Sequence, residues 1–148
     1  MNSIIESVVF LLKNVLSFVS FYDILKTRGF MPNYFHGGLT MFVHNDSVTA
    51  TPCEPGVSRK VLAYNDKVMM CEITFEKGAK GNFHTHPHVQ TTYIVKGSFA
   101  FTIDGETQIV NAGDSILMPS NSLHGCECLE AGVLCDVFTP MREDFIKK

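Results

Sequence analysis

Two patterns of apolar residues divide the chain. From Ile4 to Phe21 apolar side chains dominate. Ile4, Val8, Leu11, Leu12, Val15, Phe18 and Val19 recur at helical spacing, while Ser7, Asn14 and Ser17 fall elsewhere on the wheel. This predicts an apolar helix within an N-terminal extension over residues 1–40. After Met41 the pattern switches to short strands and turns. Val57–Tyr64 and Val68–Phe75 alternate or run apolar around an Asn65-Asp66 turn. Thr92–Lys96 and Ser98–Ile103 follow as two strands separated by Gly97. Asp104-Gly105 is a two-residue hairpin signal leading into Glu106–Val110, and Ala112-Gly113-Asp114 makes another turn. Ser115–Met118 runs into Pro119, and Gly132–Thr139 supplies a last strand. Strands recurring about every 8–12 residues, with no long helical pattern between them, read as an all-β sandwich or barrel. The expected organisation is one barrel domain over residues 41–148 behind the extension.

The extension admits several readings. A signal peptide is disfavoured because Met1–Ser7 lacks a basic residue and Lys13 interrupts the apolar stretch. As a helix, Ile4–Phe21 would reach roughly 27 Å, close to the hydrocarbon thickness of a bilayer, but Glu6 and Lys13 fall within the run. An amphipathic helix packed on the domain or on a partner is the expected form, and any membrane contact would go through residues 1–40 alone. Met41 is an alternative natural start.

Composition narrows the function classes. Of 148 residues, 45% are hydrophobic, as in globular proteins. The net charge is −3 and the Lys and Arg residues are scattered, which argues against nucleic acid as the main partner. Five cysteines, an odd number with several inside strand-like runs, argue against a disulfide framework and for a reducing, cytoplasmic setting. Cys126 and Cys128 lack the second pair that a zinc knuckle needs.

Candidate chemistry is concentrated in Gly78–Gly97. His84 and His86 are two apart, so on an extended strand they point to one side with Cα atoms about 6.5–7 Å apart. Two imidazoles at that separation can close on one ion. Gln90 offers an amide oxygen, and His124 arrives from a distant stretch after Pro119. His88 is expected to face away once Pro87 disturbs the strand. Taken singly, each of these residues also fits a surface or satisfied core position.

The combination carries a resemblance. Gly78-x5-His84-x-His86-x3-Gln90-x6-Gly97 resembles the first cupin signature, with Gln90 where that signature has glutamate. Gly113-x5-Pro119-x-Asn121-x2-His124 resembles the second, with Asn121 in place of glycine and Cys128 in place of asparagine. The stretch His124–Phe145, HGCECLEAGVLCDVFTPMREDF, is similar to the end of the pectin degradation (KdgF-type) cupins, and the likeness covers about Met41–Phe145. The resemblance implies a jelly-roll barrel holding one divalent ion (Zn, Ni, Fe or Mn) on His84, His86, Gln90 and His124. It also implies that Asp136, Phe138 and Arg142 line the pocket, with Asp136 and Arg142 catalytic and Phe138 and Arg142 binding substrate. The activity implied is conversion of 4,5-unsaturated uronates, from pectin or alginate breakdown, to linear 5-keto-4-deoxyuronates. A homodimer is expected by the same analogy. Four neutral ligands would leave the ion its full charge, which suits an anionic, chelating substrate and Lewis-acid chemistry. An iron or nickel cupin dioxygenase and a non-catalytic sugar-acid-binding cupin are the alternatives.

Overall fold

The structure, a computed structural model, describes residues 42–146. The helix expected within residues 1–40, with its membrane readings, lies outside the described residues. A 3-10 turn at Asn45–Ser47 precedes β1 (Thr51–Pro52), β2 (Val57–Tyr64), β3 (Met69–Phe75), β4 (Lys80–His84), β5 (Val89–Ile103), β6 (Glu106–Asn111), β7 (Ser115–Met118) and β8 (His124–Thr139). A second 3-10 turn, Glu143–Phe145, follows. Every ladder is antiparallel.

Two long strands organise the double-sheet barrel. The first half of β5 and the second half of β8 pair in one sheet, flanked by β7 on one side and by β3, β2 and β1 on the other. The second half of β5 and the first half of β8 pair in the other sheet, flanked by β6 and β4. The strands expected at Thr92–Lys96 and Ser98–Ile103 are therefore one bent strand. The last strand is also longer than its apolar run, because it begins at His124.

The bend has a local cause. Register slips between Ile94 and Phe99, where β5 crosses Glu130–Val133 of β8. Gly97 sits there at φ +89, and a Cβ on it would lie 2.6 Å from the Glu130 carbonyl oxygen. Opposite, a Cβ on Gly132 would lie 2.3 Å from the Lys96 carbonyl oxygen and 2.8 Å from the Phe99 ring. The two backbones approach too closely for any side chain, which is a role only glycine fills.

Alternation along the strands sets the interior. Met69, Cys71, Ile73 and Phe75 of β3 and Leu134, Asp136 and Phe138 of β8 are buried while their neighbours are less so. Ile94, Phe99 and Met118 complete the fully buried centre. Turns match their sequence signals. The Asn65 side chain accepts from the backbone N–H of Lys67 and Val68. Asp104 and Gly105 both take positive φ, as a tight hairpin turn requires. Asp104 also exchanges backbone and side-chain hydrogen bonds with Leu123, which fixes the chain just before His124. Among the described residues, no helix is long and apolar enough to cross a membrane.

Gly132→Ala should lower the unfolding free energy by roughly 2–4 kcal/mol, because neither the carbonyl nor the ring can yield without moving the strand crossing. Gly78→Ala, at φ +82 with open space around it, should cost only about 1–2 kcal/mol. Denaturant midpoints of the two variants check the ranking.

Candidate metal centre

Pairing of β4 with β8 sets His84 directly opposite His124, with ring centroids 4.5 Å apart. The ladder stops there. His86 is not on the strand with His84, as the i, i+2 pattern predicted, but in the loop that follows. Pro87, without an N–H, cannot continue the pairing. The loop is held from the other motif. Asn121 N–H donates to the His86 carbonyl at 2.8 Å, and the Ser120 hydroxyl donates to the Pro87 carbonyl. Asn121 itself adopts φ 64, the left-handed conformation that a glycine would otherwise supply. Tied this way, the His86 ring lies 5.5 Å from that of His84 and 4.9 Å from that of His124. The three side chains present ring nitrogens that all lie within 4.8 Å of one another, so they can hold a metal ion.

Hydrogen bonds fix which nitrogen faces inward. Nδ1 of His84 contacts the Asn82 carbonyl at 2.8 Å, Nδ1 of His86 the His88 carbonyl at 3.1 Å, and Nδ1 of His124 the Ser122 carbonyl at 2.9 Å. A carbonyl only accepts, so each Nδ1 carries the proton and each Nε2 keeps its lone pair. Nε2 of His124 is buried with no hydrogen-bond partner. Burial foremost, then the neighbouring positive charges of His84 and Arg142, hold His86 and His124 below the ordinary histidine pKa. His86 and His124 are thus held in the neutral form that can offer a lone pair to a metal ion.

Gln90 brings an amide oxygen to the three nitrogens. Its Oε1 lies 3.0 Å from His86 Nε2. With the proton on Nδ1, these two atoms are both acceptors, and only a cation between them makes the contact favourable. Two ligands bonded at about 2.1 Å and at right angles to one ion stand about 3.0 Å apart. The amide orientation follows from its other end: Gln90 Nε2 donates to Thr92 Oγ at 3.1 Å, and Thr92 donates to Asp136 Oδ1 at 2.6 Å. Thr92 is fully buried and Asp136 nearly so. Burial pushes the Asp136 carboxyl up to about 6, against the Thr92 and Gln90 hydrogen bonds and the His84 charge.

His84, Gln90, His124 and Asp136 face a cavity of about 520 Å³, lined also by Arg59, Phe101, Leu134, Phe138, Arg142 and Phe145. Phe138 packs edge-on against His86 at 5.7 Å and against Phe145 at the same separation. Arg142 lies 5.5 Å from the Phe138 ring and 4.3 Å from the Phe145 ring. Its fork is occupied, since Nε and Nη2 donate to the two Asp144 oxygens at 3.0 and 2.8 Å. His88 contributes its carbonyl to His86 and stands apart from the three-histidine group. All five thiols are free. Cys126 lines the cavity, and burial pushes its thiol up to about 12, an unreactive state. Thr92, Arg59 and Phe145 were not legible as site residues from spacing. Thr92 shares the inward face of Gln90 by strand alternation, which is the one signal that pointed to it.

Residues 71–138 match the cupin domain family. The pectin degradation protein KdgF of Dickeya dadantii (strain 3937) is 42% identical over 93 residues, covering 62% of this chain and 84% of that protein. An RmlC-like cupin from Shewanella frigidimarina NCIMB 400 superposes with a TM-score of 0.69 at 37% identity, over 71% of this chain and 95% of that one. KdgF from Halomonas sp. gives a TM-score of 0.68 at 33% identity, over 70% and 96%.

Two outcomes test this site. Thr92→Val should weaken binding of Co²⁺ or Ni²⁺ to the metal-free protein by roughly 10- to 100-fold in calorimetry, because the Gln90 amide loses its orienting partner. Asp136→Asn should make the metal-free protein more stable at pH 7, by up to about 3 kcal/mol. The wild-type carboxyl, at about 6 when folded and 3.8 as its ordinary value, is destabilising wherever it is ionised in the fold. The gain should therefore shrink as pH falls from 6 and vanish below 4, as followed by chemical unfolding across that range.

Proposed function

The chain belongs to the cupins of the KdgF type, and we propose that it is a metal-dependent enzyme converting 4,5-unsaturated uronate monosaccharides to linear 5-keto-4-deoxyuronates. The observation that carries this reading is the placement of Asp136. A single buried carboxyl, with its pKa raised to about 6, is hydrogen-bonded through Thr92 to the amide that meets the imidazole group. A buried group titrating near neutral pH on the wall of a cavity is suited to accept and return a proton.

A divalent ion such as Zn, Ni, Fe or Mn, held by His84, His86, His124 and Gln90, would supply Lewis-acid polarisation of substrate oxygens at its full positive charge, because all four ligands are neutral. The remaining roles fall to the chain's own residues. Lyase products carry a C4=C5 double bond, so their ring oxygen is part of an enol ether. Asp136 takes the proton of the C1 hydroxyl as the C1–ring-oxygen bond breaks and C1 becomes the aldehyde carbon. The enolate released at C5 then takes that proton back from Asp136 at C4 and becomes the 5-ketone. Nothing is gained or lost overall, so one carboxyl suffices. Phe138, buried between His86 and Phe145, offers a flat apolar surface for the sugar face. Arg142, packed over the same rings and paired with Asp144, holds the Phe138–Phe145 wall of the cavity in place.

A cytoplasmic setting accompanies this reading, supported by five free thiols. So does a homodimer, supported by Tyr93, Val95 and Leu117, which expose apolar surface on the outer face of β5 and β7.

The test is the loss of ultraviolet absorbance of lyase-generated unsaturated monouronates. Turnover should disappear on chelation and return with added metal. Asp136→Asn should lower kcat by about 10²–10⁴-fold while metal content stays at the wild-type level. Unchanged kcat in that variant removes Asp136 from the reaction.

A further inference from the structure

We propose that Arg59 is the residue that receives the carboxylate of a sugar acid in this cavity, a role that rests on reading the cavity as a uronate site. The guanidinium expected to do this from the sequence, Arg142, has two of its donors committed to Asp144. Arg59 is differently placed. It lies on the inward row of β2, opposite Ile73 of β3, which in turn faces Leu134 of β8. That puts it two strands away from β8, which carries Asp136, on the same lined cavity. Its guanidinium stacks on Phe145 with Cζ 3.5 Å from the ring centroid. The stack holds the plane in position without using a single N–H. Nε is buried and donates to nothing, and Arg59 forms no ion pair among the described residues.

A half-buried cation with a buried, unused donor is costly in the free protein and is satisfied by an anionic acceptor. The guanidinium presents a rigid fork that matches a planar carboxylate. Phe145 fixes the orientation in advance, so little freedom is lost when the anion arrives. The ring between them also explains why the second 3-10 turn belongs to the site: Phe145 meets both guanidiniums, one neutralised by Asp144 and one open. The Arg142–Asp144 pair braces the turn, and Arg59 reads the ligand. Sugars without an acid group would leave the Arg59 donors unmet, which makes this arginine a determinant of selectivity as well as affinity.

The probe is D-galacturonate, a saturated sugar acid that cannot undergo ring opening, titrated by calorimetry into the metal-loaded full chain. Arg59→Met keeps much of the stem and removes the fork. Its Kd should rise by roughly 10- to 100-fold, with metal content and melting temperature as in wild type. Arg59→Lys keeps the charge and should recover only part of the affinity. On unsaturated monouronates the same Met substitution should raise KM far more than it lowers kcat. Wild-type affinity for D-galacturonate in Arg59→Met overturns the proposal. If Arg59→Met loses metal or fold, Arg59→Lys decides, and full wild-type affinity there overturns it equally. Arg59-dependent binding in a protein that turns over no unsaturated uronate would sink the ring-opening reading and leave this one standing. Turnover with Arg59-independent binding would do the reverse.

Discussion

Several hydrogen-bond acceptors turned toward one another in a mostly buried space need a positive charge among them. That constraint underlies the whole site. The backbone takes the Nδ1 proton of His84, His86 and His124, and each Nε2 is left facing inward. Gln90 brings an oxygen to 3.0 Å from one of them. Protonating an imidazole would relieve the crowding, but burial and the surrounding cations disfavour it at His86 and His124. A divalent ion relieves all the contacts together.

The barrel supplies this arrangement through its two longest strands. Asp136, Thr92 and Gln90 form a polar thread across the β8–β5 ladder, between Cys71 on one side and Met118 on the other. The thread orients an amide at one end and holds a carboxyl at the other, so the imidazole group and the Asp136 carboxyl are linked by one chain of polar contacts. The kink at Gly97 and Gly132 lets the same two strands continue into the second sheet, where β8 delivers His124 next to His84. Fold geometry and site geometry therefore share their determinants. The crossing that only glycine permits is also what brings residues about forty positions apart into one cluster.

Much of this was legible in the sequence because it depends on local spacing. The hairpin at Asp104-Gly105, the turn at Asn65 and the alternation of Leu134, Asp136 and Phe138 are consequences of two-residue periodicity and turn chemistry. The histidine pattern was legible for the same reason, although the mechanism differs: His86 reaches the site from a loop pinned by Asn121, and not from the strand. What could not be read locally was register between strands far apart in sequence. Arg59 comes into the cavity because β2 pairs β3 and β3 pairs β8, and no pattern around residue 59 encodes that chain of contacts. The commitment of Arg142 to Asp144 was hidden for a different reason. An Arg and an Asp two apart in a polar turn pair only if the turn takes one conformation.

The proposed site has one cation shared by three imidazoles and an amide oxygen. Anomalous diffraction at a metal absorption edge, on crystals grown from protein loaded with cobalt or nickel, tests it most directly. A single strong peak is expected at about 2.0–2.2 Å from Nε2 of His84, His86 and His124, with the Gln90 oxygen turned toward it. A peak elsewhere, or a Gln90 amide presenting its nitrogen to the three rings, would rule out a shared cation.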